Sequence, residues 1–445
     1  MFGKYLGSVF VVCLLADILQ TSSMNLTSPQ RPRNGKVLSL FQIIQFQNGF
    51  CMGFGNRNGT CYTQGECEAR DGSSVGTCAN GFGVCCAFTL SCGQSTSENC
   101  TYLVQSSTST IANPCTYTVC PANNNICRIR FDFTTFNING PVTGSATATI
   151  PALTTAGGAI GDCATDIFTI TAPGNFAPPV ICGFNTGQHM IVDASRTMCN
   201  EAQFSLNGMG TREWDIKGKL EPKMAHEFHI LKQLLLVTQY NCGDEQGGPD
   251  GCLQYFTGLT GTVSSFNFPT TSAIVDPTTT HLSSQMQTMC WRQEMNTCAI
   301  CWIPVVLGSD TITGSFGLSV SKNKLPRGET DGLCSGDYLQ IPNAQSNVET
   351  NADDTFVIGT IGSDVNLSDR ICGRFFSSAL DDAERQLSRS VCTQQRPFRM
   401  TFQSDGDEVT LTKVVTKNPA NLNELNRIPG GIVGFNLRWT LQTCS

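Results

Sequence analysis

Few side chains in this sequence stand in patterns that perform chemistry. Cys298-Ala-Ile-Cys301 has the C-x-x-C spacing of redox and zinc sites. A redox dithiol needs a helix amino terminus inside a βαβ unit, and a zinc site needs a second such pair. The sequence offers neither, so both cysteines are expected to bridge to other strands. His226-Glu-Phe-His229 misses the H-E-x-x-H spacing by one residue, and histidines three apart without a third ligand make a poor zinc site. Gly53-Phe-Gly55-Asn-Arg-Asn-Gly59 neither follows a strand nor opens a helix, as a nucleotide fingerprint must. No Gly-Asp-Ser-Gly-Gly stretch or G-x-S-x-G elbow occurs. Of four histidines in 445 residues, only His189 and His281 lie outside the segment 218–236. The chain therefore reads as a non-enzyme.

Composition narrows the class further. Only 14% of residues are charged, against the usual quarter or so, while Gly, Ser, Thr and Asn are abundant. That mixture suits short strands and turns. A net charge of −7 with no dense Lys/Arg cluster leaves no footprint for nucleic acid or an anionic membrane surface. Lys4, an apolar run from Leu6 to Ala16, and then Thr21, Ser22 and Ser23 read as a signal peptide over 1–23. No later run is long enough to span a bilayer, so the mature protein is expected to be secreted.

The cysteines agree with that compartment. Of 24, Cys13 would leave with the signal, and the rest are dense enough for an oxidised extracellular protein. Their odd number leaves a thiol that is either free or bridges two chains. Sequons at Asn25, Asn58, Asn99 and Asn366 fit the secretory route.

Taken in order, residues 24–50 read as a linker, containing Pro29, Pro32 and Gly35. Residues 51–90 hold Cys51, Cys61, Cys67, Cys78, Cys85 and Cys86, too short a stretch to build an apolar core without disulfides. Through Gly59-Thr-Cys61, Cys67 and the terminal Cys85-Cys86 pair, this stretch resembles a clip domain. Another three-disulfide knot is the alternative.

Beyond Ser91 the chain repeats itself, the first thing to read in any sequence. Cys163-Ala-Thr-Asp166 and Cys334-Ser-Gly-Asp337 each open a β-rich run. Ile181-Cys182-Gly183 and Ile371-Cys372-Gly373 follow. Each copy closes on an alternating strand. In the second copy this is Phe435-Asn-Leu-Arg-Trp439-Thr-Leu-Gln-Thr-Cys444, with apolar residues at every second position. In the first it is Trp214-Asp-Ile-Lys217 continued by Val237-Thr-Gln-Tyr-Asn-Cys242, once 218–236 are removed. Alternation alone implies many short strands in a sandwich or barrel.

These landmarks, with Phe402-Gln-Ser-Asp405 and Gly434-Phe435, resemble the CUB domain family. The resemblance implies an all-β chain of two antiparallel jelly-roll sandwiches, over 91–245 and 246–445, preceded by the small disulfide-rich knot. Cys163, Cys182, Cys334 and Cys372 join the disulfide candidates. It also implies that Glu329, Asp337 and Asp405 stand where calcium-binding members carry their acidic ligands, one of which then accepts a basic side chain from a partner. A hard cation wants such oxygens. In the first copy Gly158 and Asn207 replace two of the acids, so calcium is expected only in the second.

The 19 residues 218–236 interrupt a core strand, which would leave backbone groups without partners. Their tail, His229-Ile-Leu-Lys-Gln-Leu-Leu-Leu236, reads as helical. The segment reads as a retained in-frame intron or an error in the gene structure, with a looped-out regulatory helix as the alternative. Tyr102, Tyr255, Phe256 and Tyr338 are candidate partner anchors, though most such residues belong to cores. The functional expectation is a secreted, non-enzymatic protein that binds an extracellular protein or glycan. A matrix component, cross-linked through the odd cysteine, and a non-catalytic cofactor of a serine-protease cascade are the alternatives.

Overall fold

A computed structural model describes residues 45–54, 57–106, 112–143, 160–207, 231–271, 275, 279–307, 314–318, 327–346, 368–379, 387–406 and 432–444. All its strands belong to the second of two compact units, Phe46–Ser445; the first is Met1–Gln45. The described architecture is all-β apart from the six-residue helix Gln64–Ala69 and short 3-10 turns. A Thr63/Glu66 capping box starts that helix, each residue bonding the other's backbone N–H.

Residues 50–90 fold as four short strands stapled by Cys51–Cys85, Cys61–Cys78 and Cys67–Cys86. All six cysteines expected to knot this stretch do so with one another. The stretch is not a separate bead, however. Its last strand, Gly83–Leu90, runs parallel to Thr101–Ser106, with Phe88 opposite Thr101 and Leu90 opposite Leu103. One eight-stranded sheet therefore continues from Phe50–Met52 into the first sandwich and ends at His189–Asp193. Tyr102 reinforces the join, its hydroxyl accepting the Asn58 N–H at 2.7 Å and donating to the Asn58 carbonyl at 3.2 Å.

The facing sheet of the first sandwich has four strands, Ser95–Thr96, Cys115–Val119, Asn200–Leu206 and Asp166–Ile170. Alternation writes the layer between them. In Ile126–Thr135, Ile129, Phe131 and Phe133 point inward and meet Phe168 and Phe204, whose ring centres lie 4.5 Å apart. In the second sandwich one eleven-stranded sheet curls on itself, because Tyr338–Ser346 pairs with Arg399–Gln403 at one end and with Val391–Thr393 at the other. Trp291, Trp302 and Trp439 pack edge to face within its core.

The two copies agree at several points. Cys163–Cys182 and Cys334–Cys372 close matching loops, and the glycine after each second cysteine takes a positive φ, 74° at Gly183 and 81° at Gly373. That conformation costs glycine little and other residues more, which accounts for the repeated Ile-Cys-Gly. Cys127–Cys242 and Cys298–Cys444 tie the closing strand of each copy to its neighbour, and both ladders carry an irregularity beside that bridge. Cys301 pairs with Cys392, so the C-x-x-C cysteines do go to different strands.

One expectation is corrected. The tail read as helical belongs to the strand Leu231–Asn241, which pairs with both Thr101–Ser106 and Ile126–Thr135. Leu235 is buried in the sandwich core, and Leu236 is buried on the other face with Ala87, Cys100, Tyr102 and Val104. A strand covered on both faces carries a continuous apolar run, which periodicity cannot tell from a helix. Residues 208–230, including Trp214 to Lys217, His226 and His229, lie outside the described residues.

Candidate interaction surfaces

The register Tyr338 opposite Gln403 brings the residues just beyond each strand to one rim. Asp337 Oδ1 accepts the Asp405 N–H at 3.0 Å, and Asp405 Oδ2 lies where a Cβ at position 336 would come within 2.5 Å. Only glycine at Gly336 admits that approach. Two of the three predicted acids are thus neighbours. Glu329 is not among them. Its strand, Gly328–Thr330, and the strand that follows Asp337 flank Ser368–Gly373 on opposite sides, so about 9 to 10 Å of sheet separates them at the usual strand spacing. Glu329 is only 1% exposed and lies 3.9 Å from Arg327 Nε. Among the described residues no three His, Cys, Asp or Glu are grouped closely enough to hold a metal ion. The acids thus fit a cation in part: Asp337 and Asp405 stand side by side, and the strand that carries Glu329 lies across Ser368–Gly373 from them.

In the first sandwich Asp166 is fully buried and its Oδ2 accepts the Asn139 N–H at 3.0 Å, a structural duty. Asn207 is exposed and accepts from Asn113 at 2.9 Å; Gly158 lies outside the described residues.

The odd thiol does not face solvent. Among the described residues Cys100 is the free cysteine, 1% exposed, and burial pushes its thiol up to about 11. Of the two fates expected for the odd cysteine, a free thiol or a bridge between chains, the burial of Cys100 favours the free thiol. Of the candidate anchors, Tyr102, Tyr255 and Tyr338 are buried and half-buried Phe256 stacks on Trp291 at 5.4 Å, so all four serve packing first. Asn58 and Asn99 are half-buried, and Asn99 exchanges hydrogen bonds with the backbone of Gln239. Asn25 and Asn366 lie outside the described residues.

A polar seam welds the sandwiches together. His189 Nε2 accepts the Tyr255 N–H at 2.9 Å, and the Ile191 N–H donates to the Leu253 carbonyl at 2.7 Å. Gln254 Nε2 bonds Gln188 Oε1 and the His189 carbonyl, while Gln287 Nε2 bonds Gln254 Oε1 at 2.6 Å. Phe266 and Leu282 complete the first sandwich's apolar core from segments of the second. Burial and the nearby Arg130 charge hold His189 well below the usual imidazole range, so it stays neutral and accepts.

Residues 249–442 match the family model of the animal CUB domain. The protein contains a CUB domain. Among solved structures, the CUB1-EGF-CUB2 domains of rat MASP-1 share 11% identity, covering 79% of this chain and 99% of theirs, with a TM-score of 0.20. The CUB1-EGF-CUB2 domain of human MASP-1/3 shares 12%, covering 77% and 98%, with a TM-score of 0.19. At those values neither says anything about a partner for this chain. No curated sequence matches it.

Beside the CUB domain, a groove of about 1410 Å³ runs between the sandwiches. Its walls are the loop 175–179, the end of the strand His189–Asp193, the connection 243–253, and Met286, Thr288 and Arg292 of the CUB domain. Sequence reading missed it. The one local signal was Asn175-Phe-Ala-Pro-Pro179, an aromatic residue in a proline-rich loop. Among the described residues no helix is long and apolar enough to cross a membrane.

Proposed function

We propose that this is a secreted, non-enzymatic interaction protein whose CUB domain engages an extracellular protein by accepting a basic side chain at the Asp337–Asp405 rim. The observation that carries the reading is the adjacency of the two acids: Asp337 Oδ1 accepts the Asp405 N–H at 3.0 Å, which sets two negative charges side by side on one rim. A lysine or arginine set between them would make charge-assisted hydrogen bonds, about twice as strong as neutral ones. Such modules are suited to extracellular work, since bridged sandwiches keep their loops in place without a cytosolic reducing environment.

Calcium would order this rim by neutralising the two acids, with Asp337 and Asp405 as the protein oxygens that hold it. The test is capture from extracellular fluid, comparing the wild-type protein with a variant carrying Asp337→Asn and Asp405→Asn. A protein retained by the wild type and released by the variant supports the reading. A partner retained equally by both, or one lost on enzymatic removal of glycans, would overturn it in favour of another surface or a glycan.

A further inference from the structure

The groove between the sandwiches, away from the Asp337–Asp405 rim, has a chemistry of its own. Its volume of about 1410 Å³ exceeds the roughly 300–1,000 Å³ of small-ligand clefts. Two large apolar side chains of its lining are exposed, Phe176 at 96% and Met286 at 68%. The Phe176 N–H bonds Asn175 Oδ1 at 2.9 Å, the Asn175 N–H bonds the Ala172 carbonyl at 3.0 Å, and the Asn175 amide bonds Asp193. Pro178 and Pro179 follow and restrict the backbone of the loop that carries the Phe176 ring. Both walls are fixed by the His189–Tyr255 and Ile191–Leu253 hydrogen bonds, so the groove exists before anything enters it.

Charge selects what could enter. The lining carries Asp193, Asp244, Glu245 and Asp250 against Arg128 and Arg292, two positive charges less four negative, or −2. Neither arginine stands alone: Arg128 pairs with Asp193 and Asp250, and Arg292 pairs with Glu294 at 2.8 Å. Asp244 and Glu245 face solvent. An apolar trough with acidic walls favours a chain carrying cations between apolar side chains and repels sulfated or other anionic glycans.

We propose that this groove docks an extended segment of an extracellular protein in which lysine or arginine alternates with apolar residues. The probe is a fluorescein-labelled peptide alternating lysine with phenylalanine and proline, titrated by anisotropy against the full chain at physiological salt. Its glutamate counterpart is the control. The lysine peptide is expected to bind about tenfold or more tightly than the glutamate one. Phe176→Ser and Glu245→Lys should each weaken it about tenfold with unchanged melting temperatures. Asp337→Asn should leave it unaffected, which separates this groove from the rim. Equal binding of the two peptides, indifference to the groove substitutions, or preferential binding of heparin would overturn the proposal.

Discussion

The imidazole of His189 accepts the backbone N–H of Tyr255 at 2.9 Å, joining the edge strand of the first sandwich to the opening strand of the CUB domain. Phe256 packs against the same ring at 5.2 Å, and Gln254 bonds the His189 carbonyl at 3.0 Å. A single neutral ring thus sits at the centre of the seam.

That position makes the seam sensitive to acid. The folded state holds His189 below its ordinary value, so between the two values the unfolded chain binds the extra proton. The resulting stability is complete above about pH 6.5 and declines as pH falls below it, by at most roughly 1.4 kcal/mol per pH unit. Urea unfolding between pH 7.5 and 5 should show this slope. His189→Gln, which keeps an acceptor for Tyr255, should flatten it; an unchanged slope in that variant would place the effect elsewhere.

Much of this architecture was legible because it is written in period two and in cysteines. The inward set Ile129, Phe131 and Phe133 follows from alternation, and Cys163, Cys182, Cys334 and Cys372 stand out as repeated landmarks, though their pairing is read from the fold. The seam was not legible, since Gln188, Gln254 and Gln287 are buried polar residues that alternation assigns to solvent. Nor was the continuity of the knot with the first sandwich, which rests on a parallel pairing of Gly83–Leu90 with Thr101–Ser106 that no motif marks. Glu329 matched the family spacing by sequence, yet an intervening strand separates it from the other two acids. Spacing along a chain does not report the number of strands crossed.

The buried thiol of Cys100 should be inert. With its pKa near 11, about a thousandth is thiolate at pH 8, and the sulfur is covered as well. Maleimide labelling of the native protein should leave Cys100 unmodified, whereas the denatured chain should take label there. Non-reducing electrophoresis should show a monomer. A covalent dimer that Cys100→Ser abolishes would restore the cross-linked matrix reading.

Calcium affinity should reflect two adjacent carboxylates rather than three. Calorimetric titration of the full protein is expected to give weak binding, roughly 10⁻⁴ to 10⁻³ M, the range of extracellular modules. Asp337→Asn should abolish the heat and Glu329→Gln should leave it largely unchanged. Micromolar binding that Glu329→Gln destroys would mean that all three acids gather around the ion.

The segment 218–236 meets its sharpest test in the strand it completes. Deleting it joins Lys217 to Val237, which places Ile216 at the step of Leu235 and Lys217 at that of Leu236. Leu235 stands opposite Phe133 and Leu103 and fills the core, a place isoleucine can take with little loss of volume. Leu236 stands opposite Tyr102 and Asp132, where a lysine stem could lie along the apolar surface with its charge toward Asp132. In the CUB domain the matching step is half-buried Arg438, and Trp214 matches buried Phe435. Substitutions typically cost about 0.5–3 kcal/mol, so the deletion variant should be secreted, form Cys127–Cys242, and melt within about 10 °C of the full chain. Disulfide mapping and calorimetry check this. Failure of the variant to fold, or transcripts that uniformly retain the segment, would make residues 218–236 an integral part of the first sandwich.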